Sequence, residues 1–323
     1  MVVVAICWIV SPGIGLASDA TTAAPQLTIA FSRTPLSAAD HSIGGENGTC
    51  LRDDRDIAPL DTIVAPYIAT HYSRVHPVGS IETGPTRDTT PWCSHNGQTA
   101  ATSWATARLL QSQYGWRFIS HSWTYAMNWP SLTPDRQWRE TCGSRNDITN
   151  HGLLGASGQF DWPNNSIYLP VQTTYIRRCF SFGRKYGNGT TTAAWSIADY
   201  GLQLTMGASG GHCSDISKPC YSIPTPKAYT LPSTAIAVIK NLKLGQWLSL
   251  QTYLQVTGTN PAYTTNKTRW DCTSANPADH WTNDVERYCW SDLKIILAAI
   301  PATVVINTPS GVAAVWGMPP PTG

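Results

Sequence analysis

Short apolar runs of strand length alternate along this chain with segments whose apolar residues recur at helical spacing, and that alternation limits the fold more than any other feature. Residues 27–31 (LTIAF), 116–120, 158–161, 247–252 and 303–306 read as strands. Between them, Leu60, Ile63, Val64, Tyr67 and Ile68 follow a helical period, although Pro66 interrupts it. Trp104, Ala107, Leu110 and Tyr114 place a helix over 100–114, stopped by Gly115. Thr133 as N-cap and Pro134 at the first helical position open another helix, which runs to about Asn150. Helices are also predicted over 171–182, 232–242, 284–299 and 309–316. Residues 77–99 read as a long surface loop, and 187–230, rich in Gly, Thr and Pro, take no assignment. Strands alternating with helices imply an α/β fold with a parallel sheet or barrel.

In such folds, functional residues gather where the strands end. Ser32, His121, Trp162 and Tyr253 all lie just past predicted strands, so they are expected at one mouth. No internal repeat and no domain boundary is visible, so 21–323 is expected to form a single domain. Charged residues make up only 13% of the 323, and the net charge is +2, which argues against a nucleic-acid or anionic-membrane partner. Many of the 14 Trp and 13 Tyr are core residues on this reading, and exposed ones could stack on sugar rings.

Residues 1–20 resemble a secretory signal: an apolar run from Val2 to Val10, too short to span a bilayer, is followed by small-residue sites. No later segment is long and apolar enough for a membrane span. The chain is therefore expected to be secreted or associated with the cell envelope. Without Cys7, eight cysteines remain, an even number that suits disulfides in an exported protein. Sequence neighbours suggest Cys213–Cys220 and Cys272–Cys289, while His212, Cys213 and Cys220 could instead hold zinc. Asn47, Asn164, Asn188 and Asn266 each begin an Asn-x-Ser/Thr triplet.

The ordered set of a helix, GWRFISHSWTY (115–125), an LTPDRQW helix start and GQFDWPNN (158–165) resembles the central part of the polysaccharide deacetylases, carbohydrate esterase family 4. The match is best over 100–170 and extends weakly to both sides. The resemblance implies a distorted (β/α) barrel that hydrolyses N-acetyl groups of a cell-wall or chitin-like polysaccharide. It also implies zinc or another divalent metal, held by one Asp and the two histidines of a His-x-x-x-His motif. A second Asp would act as base, and a late histidine would protonate the leaving amine.

Carried over by position, His121 matches the first metal histidine, and Tyr125 stands where the second would be. Phe31-Ser32-Arg33-Thr34-Pro35 stands where the family has Phe-Asp-Asp-Gly, and Tyr253 aligns with the late histidine. Phe160-Asp161-Trp162-Pro163 fits the aromatic-Pro motif that lines the groove. Tyr125, Asp161, Trp162, Pro163 and Tyr253 are thus the expected substrate-binding set, and His121 the expected metal ligand. Replacement ligands could come from Asp40, His41, His95, His151 or Asp161, or from Asp53 and Asp54 if the first strand is mis-registered. Alternatively His121 is an ordinary hydrogen-bonded core histidine. Two functions follow: an active deacetylase, or a catalytically inactive relative that binds an N-acetylated glycan. A third, a disulfide-stapled envelope protein, would leave the clustering of strand ends unexplained.

Overall fold

The computed structural model describes residues 22–32, 60–84, 104–124, 126–163, 166–186, 191–192, 202–207, 231–255, 287–318 and 320–323. The signal-like segment, Tyr125 and the cysteines at 50, 93, 213, 220 and 272 lie outside them, as do His41, His95 and the Asp53-Asp54 pair. The four Asn-x-Ser/Thr asparagines lie outside as well.

The strands are β1 (Gln26–Ser32), β2 (Val78–Ile81), β3 (Arg117–Ser120), β4 (Gln159–Asp161), β5 (Phe182–Tyr186), β6 (Thr191–Thr192), β7 (Leu202–Gly207), β8 (Gln246–Gln255), β9 (Arg287–Cys289) and β10 (Val305–Ile306). The pairings β1–β2–β3–β4–β5–β7–β8 are all parallel, and β8 pairs back onto β1, closing a ring. One edge of β1 is shared: Gln26 and Leu27 pair with β10, and Ala30 to Ser32 pair with β2. That split makes the barrel irregular. The alternation left a parallel sheet or a barrel open and the resemblance implied a distorted barrel, which is the observed architecture.

Side chains alternate across each strand. Leu27, Ile29 and Phe31 of β1, with Leu248 and Leu250 of β8, face outward into the main core. There they meet α1 (Ala65–His71), α2 (Trp104–Tyr114), α7 (Pro232–Lys240) and α8 (Trp290–Ala298). The inward positions are smaller or polar: Thr28, Ala30, Val78, Ser80, Ile119, Gln159, Asp161, Arg184 and Ser249 are all buried. Ala30, Val78 and Ile119 form a small apolar cluster of their own. The N-terminal end of the barrel is plugged by aromatic rings. Trp247 lies 4.7 Å from Phe182 and 5.8 Å from Trp316, which follows α9 (Pro309–Val315). The Trp247 indole N–H donates to Thr28 Oγ1 at 2.9 Å, so its polar atom is satisfied inside the plug.

Several boundaries differ from those read in the sequence, each for a tertiary reason. Residues 78–81, assigned to a loop, form β2, whose short Val-Gly-Ser-Ile run is buried throughout. Gly79 belongs there because a Cβ would lie 2.8 Å from the Phe118 ring. The helix predicted over 171–182 ends at Cys179, and Phe182 instead begins β5, paired with Gln159. Within the 284–299 segment, Arg287–Cys289 form β9, paired with Tyr253 to Gln255 of β8, and the helix begins at Trp290. Within the unassigned 187–230 segment lies β7. Pro66 did not prevent a helix: it sits in the first turn of α1, just after a π-helical turn at Leu60–Val64.

Candidate functional site

At the C-terminal end of the barrel, β3 and β4 bring His121 and Asp161 together. Both are buried. The His121 Nδ1–H donates to the Asp161 main-chain carbonyl at 3.0 Å, which fixes the ring orientation and, in the neutral ring, makes Nε2 the acceptor nitrogen. The neighbour Ser122 adopts φ 72°, a left-handed conformation that non-glycine residues rarely hold. Its amide donates to Ser120 Oγ at 3.1 Å, and Ser120 in turn bonds Ser144 of α4 (Ser144–Asn150). The chain therefore turns sharply as it leaves β3, under local strain that the surrounding bonds hold.

The Asp161 carboxylate is fully engaged. Arg184, one strand along on β5 and in register with Asp161, places its guanidinium 2.6 Å away. Ser80 Oγ donates to the same oxygen, and Gln159 Nε2 donates to the other at 2.8 Å. Burial pushes the Asp161 carboxyl above its ordinary range, while Arg184 and the two side-chain donors pull it back.

A second buried carboxylate stands beside the mouth. Glu140 lies in the π-helical turn Arg139–Gly143 that continues α3 (Pro134–Trp138). Its Oε2 accepts the amides of Trp123 at 3.0 Å and Thr124 at 2.7 Å. Its Oε1 accepts the Thr124 hydroxyl at 2.5 Å and Arg136 Nε at 2.9 Å. The guanidiniums of Arg136 and Arg139 lie 4.2 Å and 4.6 Å from the Trp123 ring. The expected cap of this helix is present, with Thr133 Oγ1 accepting the Arg136 amide at 3.3 Å.

The other expected site residues are placed less uniformly. Trp162 is only 1% exposed, and its ring meets Trp129 and Phe160, each at 5.3 Å. In this packing it is a core ring beneath the mouth and not a platform for a sugar. Pro163 is buried next to it, and its carbonyl accepts the Ser166 amide at 2.9 Å. Ser32 ends β1 beside Ser80 of β2, and Tyr253 lies on β8 beside β9. Backbone register thus puts both at the sheet's C-terminal side. His151 is not drawn in. It follows the C-terminal end of α4, where its ring stacks on Trp104 at 3.9 Å and bonds the Asp147 carbonyl at 2.8 Å.

Among the described residues, no three His, Cys, Asp or Glu side chains converge as a metal site. Among the described residues, His121 and Asp161 are the candidate donors that β3 and β4 bring together, and the Asp161 carboxylate is already committed to Arg184, Ser80 and Gln159. A guanidinium at that distance repels a divalent cation and occupies the oxygen a cation would need. These donors do not fit the expected zinc. Sequence reading missed Arg184, Ser80, Gln159 and Glu140. For Arg184, a usable signal was a cation at the centre of the five-residue run FGRKY, which has an aromatic residue at each end.

No family model and no curated protein matches the chain. Solved structures do. A proposed polysaccharide deacetylase from Mycobacterium smegmatis superposes over 95% of this chain and 95% of its own, with TM-score 0.50 at 11% identity. A family 4 carbohydrate esterase from Streptomyces lividans, in complex with acetate, aligns over 90% and 94% at 9% identity, with TM-score 0.36. A polysaccharide deacetylase from Bacillus cereus aligns over 56% and 63% at 11% identity, also with TM-score 0.36. The likeness to the mycobacterial structure spans the whole barrel, so this chain has the (β/α) barrel fold of the polysaccharide deacetylases in a divergent sequence.

Proposed function

We propose that the protein is an exported, deacetylase-fold protein that binds an N-acetylated polysaccharide at the C-terminal mouth of the barrel. The observation that carries the binding reading is the Asp161–Arg184 pair. A carboxylate at the mouth, of the kind that holds a cation or serves as a base, is instead neutralised by a guanidinium from the next strand. Tyr125 and Tyr253, where the resemblance expects histidines, suit hydroxyl contacts and stacking with sugars. Export is supported by the signal-like segment and by the Cys142–Cys179 disulfide, a bond that persists in oxidising compartments. Cys289 is disulfide-bonded as well.

A second reading, hydrolysis of the N-acetyl amide, is favoured by one specific feature: the fixed, buried His121 beside a strained Ser122 at a strand end. Both readings are tested on one substrate, N-acetylated chito-oligosaccharide, with wild type and His121→Ala. Saturable binding that His121→Ala weakens, without acetate release, is the expected result. Acetate release lost in His121→Ala would replace binding by hydrolysis. No retention of any polysaccharide would sink the binding function.

A further inference from the structure

Glu140 is a wholly buried carboxylate whose bonds converge on one short segment, the chain just past His121. Its Oε2 takes two consecutive amides, of Trp123 and Thr124, and Oε1 takes the Thr124 hydroxyl. A segment leaving a parallel strand has no ladder partner for such amides, and buried amides without acceptors are costly. Two further bonds cross to the same segment from residues 83 and 84: the Thr83 amide donates to the Ser122 carbonyl at 3.2 Å, and the Gly84 amide to the Trp123 carbonyl at 2.6 Å. Gly84 allows that approach, because a Cβ there would lie 2.3 Å from the Trp123 oxygen. Ser122 is thus pinned in a left-handed conformation between the strand on one side and the Glu140-bound amides on the other.

Charge-assisted hydrogen bonds are the strongest available for holding a backbone in an unfavourable shape. Arg136 sets the Glu140 carboxylate in turn, with its guanidinium 2.9 Å from Oε1, while its Nη2 donates to Thr124 Oγ1 at 2.8 Å. The Arg136 and Arg139 guanidiniums over the Trp123 ring add a side-chain clamp on the same segment. Arg139 is itself held by Asp147 at 2.9 Å, and Asp147 also accepts the Thr83 hydroxyl at 2.9 Å. Residues 83–84 on one side and the Arg136–Asp147 stretch on the other thus both hold the segment.

We propose that Glu140 is a positioning residue: its carboxylate holds the 121–124 segment in the shape that presents His121 and its successors to a ligand. The ligand part rests on the glycan-binding reading above, whereas the anchoring part does not. The test uses the full chain as wild type, Glu140→Gln, Glu140→Asp and Glu140→Ala. Native-state amide exchange is followed across the barrel, and affinity for N-acetylated chito-oligosaccharide is measured on the same samples.

A glutamine carbonyl oxygen can still accept both amides, although its NH2 would face the Arg136 donors, so Glu140→Gln is expected to loosen the Trp123 and Thr124 amides and glycan affinity by less than Glu140→Asp does. Glu140→Asp, one methylene shorter, is expected to expose those two amides roughly tenfold or more while the strand amides stay protected, and to weaken glycan binding by a similar factor. Glu140→Ala is expected to do the same where it folds, and Glu140→Asp carries the comparison where it does not. Segment amides that stay as protected in Glu140→Asp as in wild type would overturn the proposal. So would faster exchange spread over the whole barrel in Glu140→Asp, which would assign the effect to global stability and not to anchoring. Should wild type bind no glycan, the binding function fails alone, and the exchange pattern still decides whether Glu140 anchors the segment.

Discussion

Arg184 and Asp161 face each other across neighbouring parallel strands inside the barrel, 2.6 Å apart and both withdrawn from solvent. A buried pair of this kind resists removal of one partner, because the other is left charged and desolvated. Arg184→Met is expected to lower stability by about 3–5 kcal/mol at neutral pH, measured by urea unfolding. The double variant Arg184→Met with Asp161→Asn removes both charges, and the asparagine can still accept from Ser80. It is expected to recover more than half of that loss. A double variant no better than the single would show that the pair is not the source.

The pH dependence follows from the same carboxyl. Burial raises the folded-state pKa of Asp161 above its unfolded value. Between those two values the folded chain holds the proton more tightly than the unfolded chain. The contribution of Asp161 to stability is therefore fully present below the ordinary carboxylate pKa and is lost as pH rises through the raised value. Arg184→Met removes the opposing attraction and enlarges this effect. The stability deficit of that variant is expected to shrink as pH falls from neutral into the acid range. A deficit that stays constant or grows on acidification would contradict this sign.

Trp162 is a test of packing against binding. With its ring set between Trp129 and Phe160, Trp162→Ala is expected to cost about 3–5 kcal/mol of stability. Glycan binding by that variant is interpretable only after its unfolding midpoint has been measured. An unchanged midpoint would mean that the ring is not part of the core.

Cys142 and Cys179 close a loop across 37 residues beneath the same aromatic cluster. Replacing both by alanine is expected to reduce stability by about 4 kcal/mol through loop-closure entropy. Urea unfolding of the double variant against oxidised wild type measures it, and a difference near zero would argue against that contribution.

Gly84→Ala places a methyl group against the Trp123 carbonyl, a backbone atom that cannot swing away. The expected cost is about 1–3 kcal/mol, accompanied by faster amide exchange confined to the segment after β3. A variant as stable and as protected as wild type would mean that Gly84 and Trp123 are not in such close approach.

What could be read from the sequence was local. The run 27–31 declares a buried strand, Thr133-Pro134 declares a helix start, and both stand where expected, because turn, cap and period are set by residues within a few positions of one another. The strand-end position of His121 could also be read, since it follows directly from where β3 stops. β2 could not. A strand whose outer face carries a glycine against Phe118 and whose inner face carries a serine on Asp161 has only Val78 and Ile81 at its ends as an apolar signal.

The sequence by itself determined the alternation of strands and helices, and hence an α/β fold with a parallel sheet or barrel and His121 at a strand end. Only the tertiary structure decided what surrounds that histidine. Arg184 reaches Asp161 from another strand, Ser80 reaches it from 81 residues away, and Glu140 reaches back 16 and 17 residues to the Thr124 and Trp123 amides. The physical reason is that a buried charge is neutralised by whichever group the closed barrel brings within hydrogen-bond distance, and no local pattern in the chain records that neighbour.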